Sequence, residues 1–205
     1  MPSFDGDVTQ TSRGRLLSAA KTLFSRHGYE QTSTAAIARD AGSSESQLIR
    51  YFGGKNGVLE AIFNDGWNGI RESLAASITD AAHGRDAVVR VLGLILQTLG
   101  QDDDLAFLFL LEGRRIRGNS RDVILSNGFT QFMESVVGLV RTGQQDGSLR
   151  PDLPAEVIAT ALLGGAEAMM RERVLAQRQG VATPFDDEAV ARAFAAMAAG
   201  LAPQA

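Results

Sequence analysis

Near the start of the chain the apolar positions fall in short groups. Leu16, Leu17, Ala20, Leu23 and Phe24 recur at helical spacing, with Arg13, Arg15, Lys21 and Arg26 between them. Thr11 or Ser12 can cap this first helix, Gly28 can end it, and His27 suits the negative end of its dipole. Thr32, Ser33 and Thr34 offer caps for a short second helix that buries Ile37, Ala38 and Ala41. A third helix follows after only "GSS". Ser44 and Gln47 have capping-box spacing, Leu48 and Phe52 share one side, and Gly53 and Gly54 close it. Two short helices joined so tightly form a helix-turn-helix pattern.

From Asn56 the pattern lengthens. "NGVLEAIFNDGWNGIRESLAASITDAA" predicts a long amphipathic helix, and "DAVVRVLGLILQTLG" is apolar nearly all round, so it should be buried. "LAFLFLLEGRRI" reads as helix by its length and neighbours, and "RDVILSNGFTQFMESVVGLVRTGQQDG" as another long one. Pro151 and Pro154 mark a break before "AEVIATALLGGAEAMMRERVLAQ" and "DEAVARAFAAMAAGLA". The reading is an all-α protein of about nine helices: a helix-turn-helix domain over residues 9–55, then a helical domain over 56–205.

Composition narrows the function. With 205 residues and 44% apolar content the chain can hold a real core. It has no cysteine, so disulfides and thiolate chemistry are excluded. No signal peptide or membrane span is apparent, and a cytoplasmic protein is expected. The net charge of −4 hides an asymmetry: residues 1–57 hold seven basic and five acidic side chains, the remainder 13 and 19. A mildly basic head on an acidic body suits a DNA reader. Catalysis is not expected. His27 and His83 lack Ser or acidic partners at a telling spacing, and "GGKNG" lacks P-loop spacing. No metal or cofactor motif appears.

The stretch "RHGYEQTS" and then "IARDAGSSESQLIRYFGGKNGVLEAIF" resembles the N-terminal domain of the tetracycline-repressor (TetR) family of bacterial transcription regulators. The likeness covers roughly residues 11–63. It rests on Ala41, Gly42, Ser44, Leu48, Tyr51, Phe52 and Lys55. Departures are Ser43 for a usual Val, Ile49 for a Tyr that often touches phosphate, and Glu45 for a frequent Lys; Gly54 and Asn56 flank the lysine unusually. The resemblance implies a DNA contact at Thr34 and a backbone contact at Lys55. It also implies a homodimer with a ligand cavity in the larger part.

On a helical wheel the third helix points Arg50 opposite Leu48 and Phe52, with Ser46 and Gln47 on either side of it. Arg50 can bridge guanine O6 and N7, or stay solvated. Gln47 can bridge adenine N6 and N7, or close the capping box; Ser46 permits close approach. Glu45 can accept from cytosine, orient Arg50, or stabilise the helix N-terminus. Ile49 can meet a thymine methyl or pack on the second helix. Tyr51 can reach a phosphate or bury its ring. Ser33 and Thr34 start the second helix, where free amides attract phosphate. The expected DNA-contacting set is therefore Ser33, Thr34, Ser44, Glu45, Ser46, Gln47, Arg50, Tyr51 and Lys55.

For the body, clustered aromatic and methionine residues are either ordinary core or the wall of an apolar cavity: Trp67, Phe107, Phe109, Phe129, Phe132, Met133, Met169 and Met170, with Glu112 or Glu167 as an acid that faces a ligand or solvent. The small residues of the last two helices nominate a dimer seam at Leu162, Gly164, Gly165, Phe194 and Met197, or else an ordinary intrachain packing of two Ala-rich helices. The expected function is a repressor released from a palindromic double-stranded DNA operator by an apolar or amphipathic small molecule. The alternative is a DNA-binding dimer with no small-molecule effector, regulated by a protein partner or constitutive.

Overall fold

Local caps set the first three helices. Thr11 Oγ1 accepts from the Gly14 amide at 3.0 Å and starts α1 (Ser12–His27). Ser33 Oγ accepts from the Ala36 amide at 3.1 Å and starts α2 (Thr34–Asp40). Ser44 Oγ accepts from the Gln47 amide at 3.2 Å and starts α3 (Glu45–Phe52). Each satisfies an amide that the helix leaves open. Gly53 ends α3 at φ 72°, a left-handed conformation that glycine adopts without the Cβ penalty.

The computed structural model describes residues 11–78, 81–112 and 125–203. Among these residues there are nine helices and no strand, in agreement with the all-α reading. The remaining six are α4 (Lys55–Ser77), α5 (Gly84–Gly100), α6 (Asp103–Leu111), α7 (Asn127–Gln145), α8 (Ala155–Gln179) and α9 (Asp187–Gly200). Three ends differ from the periodicity. The α4 helix stops at Ser77, short of the expected "ITDAA". The α6 helix stops at Leu111 because Glu112 turns extended (ψ 140°). The α7 helix starts only after Ser126, whose Oγ accepts from the Phe129 amide at 3.2 Å. The expected helical residues 113–116 and 121–124 lie outside the described residues.

The nearly all-round apolar α5 is central, packing against α4, α6, α7, α8 and α9. It buries Val88, Val91, Leu92, Ile95, Leu96 and Leu99. Its first amides are capped from outside its own sequence. Asp146 Oδ2 accepts from the Gly84 amide at 2.7 Å, and Ser148 Oγ from the Arg85 amide at 3.1 Å. In the head, Leu16, Phe24, Ile37, Leu48 and Val58 are fully buried. Truncating such a residue to alanine costs about 2–5 kcal/mol. Leu48 thus fixes which side of α3 faces in.

Candidate nucleic-acid interface and effector cavity

The outward residues of α3 share one surface with the start of α2. Thr34 Oγ1 donates to Glu45 Oε1, which joins the two helices. This partner answers the Glu45 question: the carboxylate is tied to Thr34. Gln47 does only half of what a capping box requires. Its amide donates to Ser44, but its side-chain oxygen accepts from Ser43 Oγ at 2.6 Å. Serine in place of the usual apolar turn residue thus gains a partner. Ser33, Ser44, Glu45, Ser46 and Arg50 are exposed. Tyr51 is 41% exposed and is not a core ring. The Arg50 guanidinium lies 5.1 Å from the centre of that ring, a cation–π contact. Ile49 is 53% exposed, so packing on α2 does not bury it.

Lys55 at the first turn of α4 opposes the helix dipole, but its ammonium is locally compensated. Nζ donates to the Tyr29 carbonyl at 3.0 Å and sits 4.3 Å from the centre of the Tyr29 ring. Tyr29 folds back on Phe24, with ring centres 5.2 Å apart. Arg13 and Arg15 serve as struts, donating to Asp65 Oδ2 at 3.0 Å and to the Ala41 carbonyl at 3.2 Å. Periodicity missed Gly57. A Cβ there would lie 1.7 Å from the Phe52 carbonyl oxygen. Only glycine lets α4 press against the end of α3, and no pattern in the sequence announces that contact.

In the body, a cavity of about 490 Å³ opens between α4, α5, α6, α7 and α8. Seven of the nominated residues line it: Trp67, Phe109, Glu112, Phe129, Phe132, Met133 and Met170. Trp67 stacks on Phe109 and Phe132 at 4.3 and 4.9 Å and meets Phe129 edge-on at 5.2 Å. Glu112 accepts from Trp67 Nε1 at 2.6 Å and from the Ser126 amide at 2.9 Å, so it ties α4 to α6 and α7. Ile95, Leu99, Thr160, Leu163 and Glu167 complete much of the wall. The aliphatic ones carry no signal that separates a cavity wall from ordinary core.

Two nominated residues do not line the cavity. Phe107 stands two positions from Phe109, on the other side of α6, and lies 3.5 Å from the Arg178 guanidinium. Met169 is rotated off the wall beside Met170 and packs on the core. The seam residues also need correction. Leu162 and Phe194 are 2% and 1% exposed, so they belong to the core of the single chain. Gly165 faces Phe194, to which a Cβ would come within 3.7 Å: the small residue serves packing of α8 on α9. Gly164 lines the cavity, and Met197 remains exposed.

Residues 16–62 match the family described as bacterial regulatory proteins, tetR family. The chain is 27% identical over 159 residues to the HTH-type transcriptional repressor KstR2 of Rhodococcus jostii (strain RHA1), covering 76% of each chain. Its fold superposes on the fatty acid degradation regulator FadR from Bacillus halodurans with a TM-score of 0.81 at 17% identity, over 92% of this chain and 95% of that one. FadR from Bacillus subtilis, solved with stearoyl-CoA, superposes at 0.79 and 19% identity, over 90% and 96%. Residues 16–62 thus form a helix-turn-helix head of the TetR type, and the chain as a whole is similar to DNA-binding transcriptional regulators of that family.

Proposed function

We propose that the chain acts as a homodimeric repressor that leaves a palindromic operator when an apolar or amphipathic small molecule enters the cavity. Residues 9–55 read DNA, and residues 56–205 bind the effector and dimerise. Arg50 and Gln47 bridge base edges, and Ser46 admits close approach. Ser33, Thr34, Ser44, Tyr51 and Lys55 sit against phosphates, with Glu45 orienting Thr34.

One observation carries the reading: the cavity and the head share two helices. The α4 helix starts beneath α3 at Lys55 and carries Trp67 into the cavity wall. The α6 helix places Phe109 in that wall, and its opposite end holds α1. There Lys21 donates to Asp102, and Thr22 Oγ1 donates to Asp104 Oδ2 at 2.9 Å. An effector that moves Phe109, or takes Glu112 from Trp67, therefore re-aims the heads. Operator affinity falls by the ratio of effector affinities for the two arrangements.

The wall is aromatic and aliphatic, with carboxylates at Glu112 and Glu167. It suits the apolar body of an amphipath whose anionic groups lie away from those acids. The likeness to a FadR solved with stearoyl-CoA supports a long apolar portion. Dimerisation uses the exposed stripe Val157, Ala161 and Leu175 on α8 with Met197 on α9.

The test is fluorescence anisotropy against DNA flanking the chain's gene and against sites selected from random DNA. Gln47→Ala and Arg50→Ala should each weaken binding about five- to a hundred-fold, the worth of one bidentate base contact. Added salt should weaken it further. Stearoyl-CoA, with Trp67 emission reporting cavity occupancy, should release the DNA. No selected site refutes DNA reading, and unchanged operator affinity at saturating cavity occupancy refutes effector release.

A further inference from the structure

We infer that Ile49 is a specificity-determining residue that reads a thymine methyl group in the operator; this rests on the DNA-reading role of α3 proposed above. Leu48 is fully buried and Phe52 packs on the core, so the docking side of α3 is complete without Ile49. The Ile49 side chain is instead 53% exposed. It lies on the flank of α3, next to Ser46 at i−3 and about 100° round the helix from Arg50. The neighbours that would shield it are engaged elsewhere. Glu45 is turned to Thr34, Gln47 to Ser43, and Arg50 lies over Tyr51.

An aliphatic side chain offers phosphate no hydrogen bond, so Ile49 does not position the helix on the DNA backbone. In the major groove the apolar feature of a base edge is the thymine C5-methyl. The geometry favours that contact. The Ile49 carbonyl accepts from the Gly53 amide at 2.7 Å, which fixes its backbone at the left-handed cap. A β-branched side chain in a helix strongly prefers one χ1 rotamer. Ile49 is therefore a preorganised apolar knob on the reading surface, with little rotamer freedom to lose on binding.

The experiment uses the full chain and an operator selected from random DNA. Each thymine is replaced in turn by deoxyuridine, which lacks the methyl group, and affinities are measured for wild type and Ile49→Ala. At one thymine per half-site the wild type should lose about four-fold, the worth of one buried methyl-sized group. Ile49→Ala should lose nothing at that thymine and behave as wild type at the others. Its thermal melt should match wild type, because the side chain is outside the core. An operator whose binding needs Gln47 and Arg50, but whose deoxyuridine losses are the same in both proteins, overturns the inference and leaves DNA reading intact. Recovery of no operator at all overturns the DNA-reading role, and this inference with it.

Discussion

Arg50 rests on Tyr51, and among the described residues no carboxylate is paired with it. Its charge is held by a ring face, so transfer to a guanine breaks no ion pair. Asp146 is a residue of the opposite kind, fully committed within the fold. Hydrogen bonds from the Ser148 side chain and from the Gly84 and Ser148 amides hold its carboxyl down, from the ordinary 3.8 to about 2. A depressed folded pKa gives stability that is present above the unfolded value and lost as pH falls through the folded one. The stability advantage of wild type over Asp146→Asn should therefore be constant at neutral pH and shrink between pH 3.8 and about 2. Thermal melts of both proteins across that window check it. An advantage that grows on acidification would contradict the assignment.

Among the elements, α6 is the short strut between head and cavity. Its N-terminal acids reach two helices: Asp102 and Asp104 accept from Lys21 and Thr22 of α1, and Asp103 from Gln177 of α8. Arg178 of α8 adds a link by donating to the Ser25 carbonyl at 3.1 Å and to Ser25 Oγ at 2.8 Å. Coupling is reciprocal, so the proposed effector release requires operator binding to be felt at the cavity end of α6. Trp67 is the chain's single tryptophan and reports there. Operator addition should shift wild-type Trp67 emission. The double variant Lys21→Ala, Arg178→Ala should still fold, with about 1–2 kcal/mol lost from these partly exposed contacts. Its emission should no longer respond to operator. A full response in the variant would assign the coupling to α4 alone.

For the whole molecule the question is what covers the outer face of α8. Val157 and Leu175 are 55% and 44% exposed on that helix, and Met197 is exposed on α9. A dimer that reads a palindrome must hold its two recognition helices about 34–36 Å apart, or a multiple of that turn of DNA. Val157→Glu should convert a sedimenting dimer to monomer, because the dimer would bury an unpaired carboxylate. Helical content should be unchanged, and operator affinity should fall with the loss of the second half-site. A dimer that survives this change would place the seam elsewhere.

What the sequence by itself determined is local. Thr11, Ser33 and Ser44 cap their helices and Gly53 stops α3, because each acts on amides or dihedrals within a few residues. Leu48 and Phe52 likewise set the orientation of α3 through a spacing that one helix defines alone. Tertiary structure decided whatever depends on which surfaces meet. Glu112 ends α6 turned to Trp67 and Ser126, partners far along the chain. Gly57 is required only because the Phe52 carbonyl lies against it. Small residues in α8 allow close approach to any helix, so composition could not choose between α9 and a second copy. Folding gave Gly165 to Phe194 and Gly164 to the cavity. Packing is non-directional in sequence: an apolar or small side chain states that it will be covered, and only the assembled chain states by what.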